Sequence, residues 1–111
     1  MQPGVNVGRD TMATFRDMED VKTANRTLGH HWFDADTMRF FHTRLCGGLI
    51  AGRYFVSSEK GRHQTTRRYT VREVRENGAI NTVGDFQGYA SAAIAKAAAL
   101  RLVAGESRVA A

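Results

Sequence analysis

GRHQTTRRYTVREVRENG, residues 61–78, is the stretch from which the rest of the chain can be read. Tyr69 and Val71 alternate with Arg68, Thr70 and Arg72, the period of two that sends successive side chains to opposite faces of a strand. This strand is read over Arg67–Arg75. It runs into Asn77-Gly78, the strongest short hairpin signal in the chain, and it emerges from a polar loop over Glu59–Thr66. Before that loop, Arg53–Ser58 (RYFVSS) is rich in aromatic and β-branched residues and reads as a preceding strand. After the Asn-Gly turn, Ala79–Phe86 reads as a third strand, with Gly84 weakening its end or marking a bulge.

Helical patterns flank this hairpin pair. Met18, Val21, Ala24 and Leu28 recur at helical spacing, which predicts a helix over Thr14–Leu28 capped by Gly29. Asp17, Glu19 and Asp20 lie where the helix dipole favours negative charge. Asp34 is a fitting N-cap for a short second helix over residues 35–44, in which Met38, Phe41 and Leu45 would share a face. Trp32, Phe33, Met38, Phe40 and Phe41 are expected in the core. Cys46–Gly52 (CGGLIAG) reads as a glycine-rich crossing. Ser91–Ala104 is nearly all strong helix formers; Ala92, Ala93, Ala97 and Ala98 would let it lie close to a sheet, with Leu100 and Val103 continuing the contact and Gly105 ending it.

The expected fold is α+β: a three-stranded antiparallel sheet packed against helices, in the order α-α-β-β-β-α, with one sheet face buried and the other open. The expected organisation is a flexible arm over 1–10, a single domain over 11–105 and a frayed tail over 106–111. A length of 111 residues suits one domain, and 42% hydrophobic with 24% charged residues is ordinary for a globular chain. The sequence has no apolar run of about 18 residues, so no membrane span is expected. The N-terminus lacks the apolar core of a secretory signal. The single cysteine, Cys46, cannot form an internal disulfide, which points to a reducing cytoplasm.

The charge is unevenly placed. Residues 1–51 carry six Lys/Arg and six Asp/Glu, residues 52–78 carry seven and three, and residues 79–111 carry three and two. The net charge of +5 is therefore concentrated on the hairpin. Lys60, Arg62, His63, Arg67 and Arg68 sit at or beside the loop, and Arg53, Arg72 and Arg75 lie on the flanking strands. A projecting loop of this kind can grip phosphates, and the planar donors of Arg suit that role. The same charges would equally serve on a solvated hairpin to keep an edge strand from pairing, or would face an acidic protein. Tyr54, Phe55, Tyr69 and Phe86 could stack single-stranded bases from an open face; alternation leaves at most one or two of them exposed, and core is the simpler reading.

Other chemistries find less support. His42 and Cys46 are four apart and could share a helix face, with His30 and His31 upstream, but zinc needs three or four converging ligands and no CxxC, HxxxH or HExxH is present. Cys46 beside Gly47-Gly48 would need a base and an orienting group to act as a nucleophile. Asp34 and Asp36 are better explained as a helix cap and a first-turn charge. No phosphate-loop glycine pattern occurs. No catalysis, cofactor or metal is expected.

Two resemblances extend this reading. The α-β-β-β-α order, GRH at 61–63, RRYTVREV at 67–74, the Asn-Gly turn and AAIAKAAALRL at 92–102 look like a double-stranded-RNA-binding domain over roughly the last 60 residues. The resemblance implies RNA contacts from the first helix, from the loop after the first strand, where His63 stands, and from the start of the last helix, where Lys96 is the basic residue. Ala92 and Ala93 replace the lysine pair of that family. The series NRTLGHHWF, DTMRFF, RYFVSSE, RRYTVRE and INTVGDFQGYA, over about residues 17–90, resembles a family of small uncharacterised proteins of bacteriophages and mobile elements. That resemblance implies an accessory product in the bacterial cytoplasm that binds a host macromolecule: RNA polymerase, a defence nuclease or nucleic acid. The expected function is binding, most directly of nucleic acid through the basic hairpin, with inhibition of an acidic host protein as the alternative. An uncovered edge strand would also allow a homodimer.

Overall fold

A computed structural model describes residues 14–110. The first ten residues, expected as an arm, lie outside them. The elements are α1 (Met18–Leu28), α2 (Ala35–Arg39), β1 (Arg44–Leu45), β2 (Tyr54–Glu59), β3 (Arg68–Val74), β4 (Ile80–Val83) and α3 (Ala92–Ala110). The fold is α+β, with one antiparallel sheet of four strands in the order β1-β2-β3-β4. The strand beyond the expected three is β1, which pairs Arg44 with Ser58 and Leu45 with Ser57.

Both sheet faces are covered, not one. Tyr54, Val56 and Val71 pack under Ala95, Ala98 and Ala99 of α3. On the other face Phe55 and Val74 pack with Val21 of α1, and with Trp32 and Phe33 from the segment after it. Every residue of β2 is therefore buried, whichever way it points. Small alanine side chains bring α3 close to the sheet, although the buried set is rotated from the expected one: Ala93 and Ala97 face out, as does Leu100 at 58% exposure. The Ser91 hydroxyl starts this helix by accepting from the Ile94 N–H at 3.2 Å. No helix of the described residues is long and apolar enough to cross a membrane.

Local signals set most boundaries. The Asp17 carboxylate caps α1 by accepting from the Asp20 N–H at 3.0 Å. Arg16 grips the Asp20 carboxylate through two side-chain donors at 2.7 Å, which holds that acid down at about 2. Gly29, at φ +90, closes α1 with its N–H on Arg26 O and that of His30 on Asn25 O, a Schellman ending. The β3–β4 connection is a three-residue loop: Gly78 N–H donates to Arg75 O, Arg75 N–H to Ala79 O, and Gly78 sits at φ +97. Helix α1 rests on this turn. Buried Asn25 donates to Gly78 O at 3.0 Å and accepts from the Trp32 N–H at 2.8 Å.

Three helix ends depart from expectation. Helix α1 starts at Met18, not Thr14, because the Asp17 carboxylate caps it. Helix α2 stops at Arg39, not residue 44, because His42 takes a left-handed conformation at φ +49. Thr43 N–H then reaches Met38 O and His42 N–H reaches Arg39 O, the same Schellman pattern with histidine in the usual place of glycine. Helix α3 runs through Gly105 to Ala110. Glu106, just beyond that glycine, accepts from Arg53 Nη1 at 2.9 Å and from the Tyr54 hydroxyl, which outweighs the roughly 1 kcal/mol that glycine costs in a helix.

Candidate functional site

The β2–β3 loop, residues 60–67, is held at its base by a polar network. The Gln64 side-chain oxygen accepts from Gly61 N–H at 2.7 Å and from Gln87 Nε2 at 3.0 Å. Gln87 Nε2 also donates to Glu59 O at 3.0 Å, and Gln87 N–H to the Thr70 hydroxyl at 2.8 Å. Gln87 makes these bonds from a left-handed backbone, φ +58, a conformation that costs a non-glycine residue energy and persists where its surroundings over-determine it. Arg67 Nη1 donates to the Ser58 hydroxyl at 2.8 Å, and Arg68 Nε to Gln87 O at 2.8 Å. The loop is thereby braced against the segment that follows β4.

Beneath it lies a buried charge pair. Glu59 is wholly buried and accepts from Arg72 Nη2 at 2.8 Å, from the Thr70 hydroxyl at 2.7 Å and from the Ser57 hydroxyl at 2.5 Å. Arg72 also donates from Nε to Ser57 Oγ at 2.9 Å and from Nη1 to Thr82 Oγ1 at 2.6 Å. Its guanidinium lies 5.2 Å from the Trp32 ring and 5.6 Å from the Phe86 ring. Strand register explains the cluster: Ser57 and Glu59 of β2 point to the same face as Thr70 and Arg72 of β3.

The nine expected contact residues separate. Lys60, Arg62 and His63 stand on the loop, and none makes a side-chain hydrogen bond or ion pair among the described residues. Arg67 and Arg68 stand at its base, each with one donor engaged. Arg72 is no surface ligand: it is 8% exposed, with its donors spent on Glu59, Ser57 and Thr82. Arg53 is also engaged, with Glu73 at 3.3 Å and Glu106 at 2.9 Å, on the face that carries α3. Arg75 follows β3 at the far end of the hairpin, about 26 Å from the loop at roughly 3.3 Å per residue. Lys96 of α3 lies against Gly47. With α1 on one sheet face and α3 on the other, the two helices do not flank the loop from a common side.

Beside the loop are aromatics that were expected inside. Phe40 is 77% exposed, and Phe41 and Phe86 are also open to solvent. They form a strip: Phe40 meets Phe41 edge-on with centroids 4.7 Å apart, and Phe41 meets Phe86 at 5.3 Å. Phe40 and Phe41 miss the core because α2 ends at Arg39 and the turn at His42 follows; Phe86 lies past β4, which ends at Val83 and not at residue 86 as expected. Lys60 N–H donates to Phe41 O at 2.8 Å, tying this turn to the hairpin. An open cleft of about 430 Å³ lies between them, lined by Asp36, Arg39, Phe40, His42, Lys60 and Arg62. Asp36 is paired with Arg39. Of the four aromatics weighed for exposure on the sheet, Phe86 is open while Tyr54 and Phe55 are buried.

The site therefore has cationic and aromatic parts in one place. Sequence reasoning found the loop cations and missed Arg39, Phe40, Phe41 and His42. The available signal was FFH directly after Arg39, two adjacent rings that a single helix face cannot both bury. No metal geometry accompanies it: among the described residues no group of three or more His, Cys, Asp or Glu is placed to hold an ion. His42 and Cys46 share no helix face, since β1 separates them and Cys46 packs under α3.

A model of a family of unknown function (DUF7447) matches residues 17–100, a span that contains every residue of this patch. No curated protein and no solved structure matches the chain.

Proposed function

The chain belongs to the DUF7447 family, whose function is unknown, and we propose that it is a non-enzymatic accessory protein that binds nucleic acid through the tip of its β2–β3 hairpin. The observation that carries this reading is the contrast between cations. Arg53 and Arg72 are spent on internal carboxylates, whereas Lys60 and Arg62 have no side-chain partners among the described residues and stand, with His63 beside them, on a braced loop. Cations on a pre-ordered loop meet phosphate oxygens with little further ordering cost. A phage or mobile-element setting inside the bacterial cell is part of the proposal and draws on the resemblance of the sequence motifs.

Fluorescence anisotropy with a labelled mixed-sequence oligonucleotide, titrated at several salt concentrations, tests it. Affinity should fall linearly on a log–log plot. Lys60→Glu/Arg62→Glu should weaken binding by at least about tenfold and flatten the slope by roughly 1.5, since each lost phosphate contact removes about 0.7–0.9. Equal affinity of wild type and variant would overturn the assignment of the hairpin.

One observation favours a second reading. Phe40, strongly exposed beside arginine, matches the enrichment of aromatics and arginine at protein interfaces. Failure to bind any nucleic acid, together with specific capture of one acidic host protein that survives nuclease treatment and is lost in Phe40→Ala, would transfer the function to inhibition of that protein.

A further inference from the structure

The hairpin cations alone do not distinguish duplex from single strand; the rings beside them do. We infer that the nucleic acid taken by this site is single-stranded, with an unpaired base stacked on Phe40 and its phosphate in the cleft beside Lys60 and Arg62. The inference rests on the nucleic-acid reading above.

Single exposed apolar residues are common on protein surfaces, but contiguous exposed aromatics are not. Phe40, Phe41 and Phe86 follow one another at 4.7 and 5.3 Å, and the strip is anchored at its inner end, where Phe86 meets the Arg72 guanidinium at 5.6 Å. Phe40 stands at the outer end with 77% of its surface open, although Phe41 already occupies one side of its ring. What can cover such a ring is another flat, apolar face. Bases in a duplex turn those faces to one another and present only edges and phosphates. An unpaired base has its face free, and stacking on an aromatic side chain is a sequence-tolerant contact. Duplex laid on the same patch would put hydrated phosphates against phenyl rings.

The cleft fits the other half of a nucleotide. Its volume of about 430 Å³ falls in the ordinary range for small-ligand sites, roughly 300–1,000 Å³. Phe40 forms one wall, and Lys60 and Arg62 line the cleft beside it. Arg39 and Asp36, which also line the cleft, are paired with each other and leave Lys60 and Arg62 as the cations for a phosphate. The Lys60 backbone bond to Phe41 keeps the aromatic and cationic sides in register. Aromatic wall and cationic wall together match the two faces that a single strand offers, base and phosphate.

The test compares equal-length oligonucleotides of about 12 units, within the roughly 4–16 that a single-strand site occupies: oligo-dT, the same backbone carrying abasic units, and a duplex of matched length. Wild type should prefer oligo-dT to the abasic strand by at least about fivefold for each seated base, and to the duplex by about tenfold or more. Phe40→Leu should lose most of the preference over the abasic strand, and Phe40→Trp should keep it. Circular dichroism of both variants guards against misfolding, which the exposure of Phe40 makes a minor concern. Equal affinity for oligo-dT and the abasic strand, with Phe40→Leu neutral, would overturn the stacking inference while leaving the phosphate reading intact. Absence of binding to all three would overturn both.

Discussion

Replacing Arg72 by methionine should destabilise the fold, not weaken a binding surface. The substitution keeps an unbranched apolar stem against Trp32 and Phe86 but removes three hydrogen bonds, to Glu59, Ser57 and Thr82. Glu59 is left fully buried with only the Ser57 and Thr70 hydroxyls as side-chain partners. Removing one member of a buried ion pair costs about 3–5 kcal/mol, because the remaining charge is desolvated without compensation. A domain of this size has about 5–15 kcal/mol in total. At roughly 4–6 °C per kcal/mol the melting temperature should drop by about 12–30 °C. Urea denaturation of four proteins measures the effect: wild type, Arg72→Met, Glu59→Gln and the double variant. The double should recover part of the single loss, because a neutral amide in place of the carboxylate leaves no buried charge, giving a coupling of about 1–3 kcal/mol. Lys60→Met, on the loop, should stay within about 0.5 kcal/mol of wild type. If Arg72→Met costs less than about 1 kcal/mol and adds simply to Glu59→Gln, the buried-pair reasoning is wrong and Arg72 returns to the list of surface ligands.

Gly78→Ala should lose about 2 kcal/mol or more in urea denaturation, because a Cβ at φ +97 would sit 2.8 Å from Ala24 of α1; Gly29→Ala, at similar φ but with open space around it, should lose only the backbone part, about 1 kcal/mol. Burial, aided by the hydrogen bond to Glu106, pushes the Tyr54 phenol up to about 12, so the unfolded chain releases that proton near pH 10 while the folded one keeps it; this stability is whole below pH 10, drains away between about pH 10 and 12, and should show in urea midpoints that flatten over that window in Tyr54→Phe. Gln87→Gly relieves the left-handed strain yet removes the side-chain bonds to Glu59 O and Gln64, so amide exchange over residues 61–66 should speed up by roughly 5- to 10-fold, from about 1 kcal/mol of lost bracing, with little change at the centre of β2.

Legibility differed from element to element for identifiable reasons. Helix α1 was legible at its C-terminal end because Gly29 uses backbone chemistry that acts within one turn, but its start was read four residues early, at Thr14, because Asp17 was taken as a first-turn charge when its carboxylate is the cap. Strand β3 was legible from its alternation, and its turn from Gly78. Helix α2 was overextended because its stop is His42 at positive φ, a position that glycine would have announced and histidine conceals. That one error moved Phe40 and Phe41 into an imagined core and hid β1, whose two residues carry no pattern of their own. Continuation of α3 past Gly105 was equally unreadable, since the deciding contacts join Glu106 to Arg53 and Tyr54 more than 50 positions away.

Taken by itself, the residue order determined the class of fold, the antiparallel hairpins and the location of the positive charge, all of which depend on periodicities and turn residues a few positions apart. Only the tertiary structure decided which cations are available. Arg62 and Arg72 are chemically the same group on neighbouring elements. One projects from a loop, whereas the other lies across the sheet from Ser57 and Glu59 and beneath Trp32 and Phe86. Strand register and helix placement set that difference, and both arise from contacts between segments far apart in the chain, where burial converts an ordinary surface charge into part of the core.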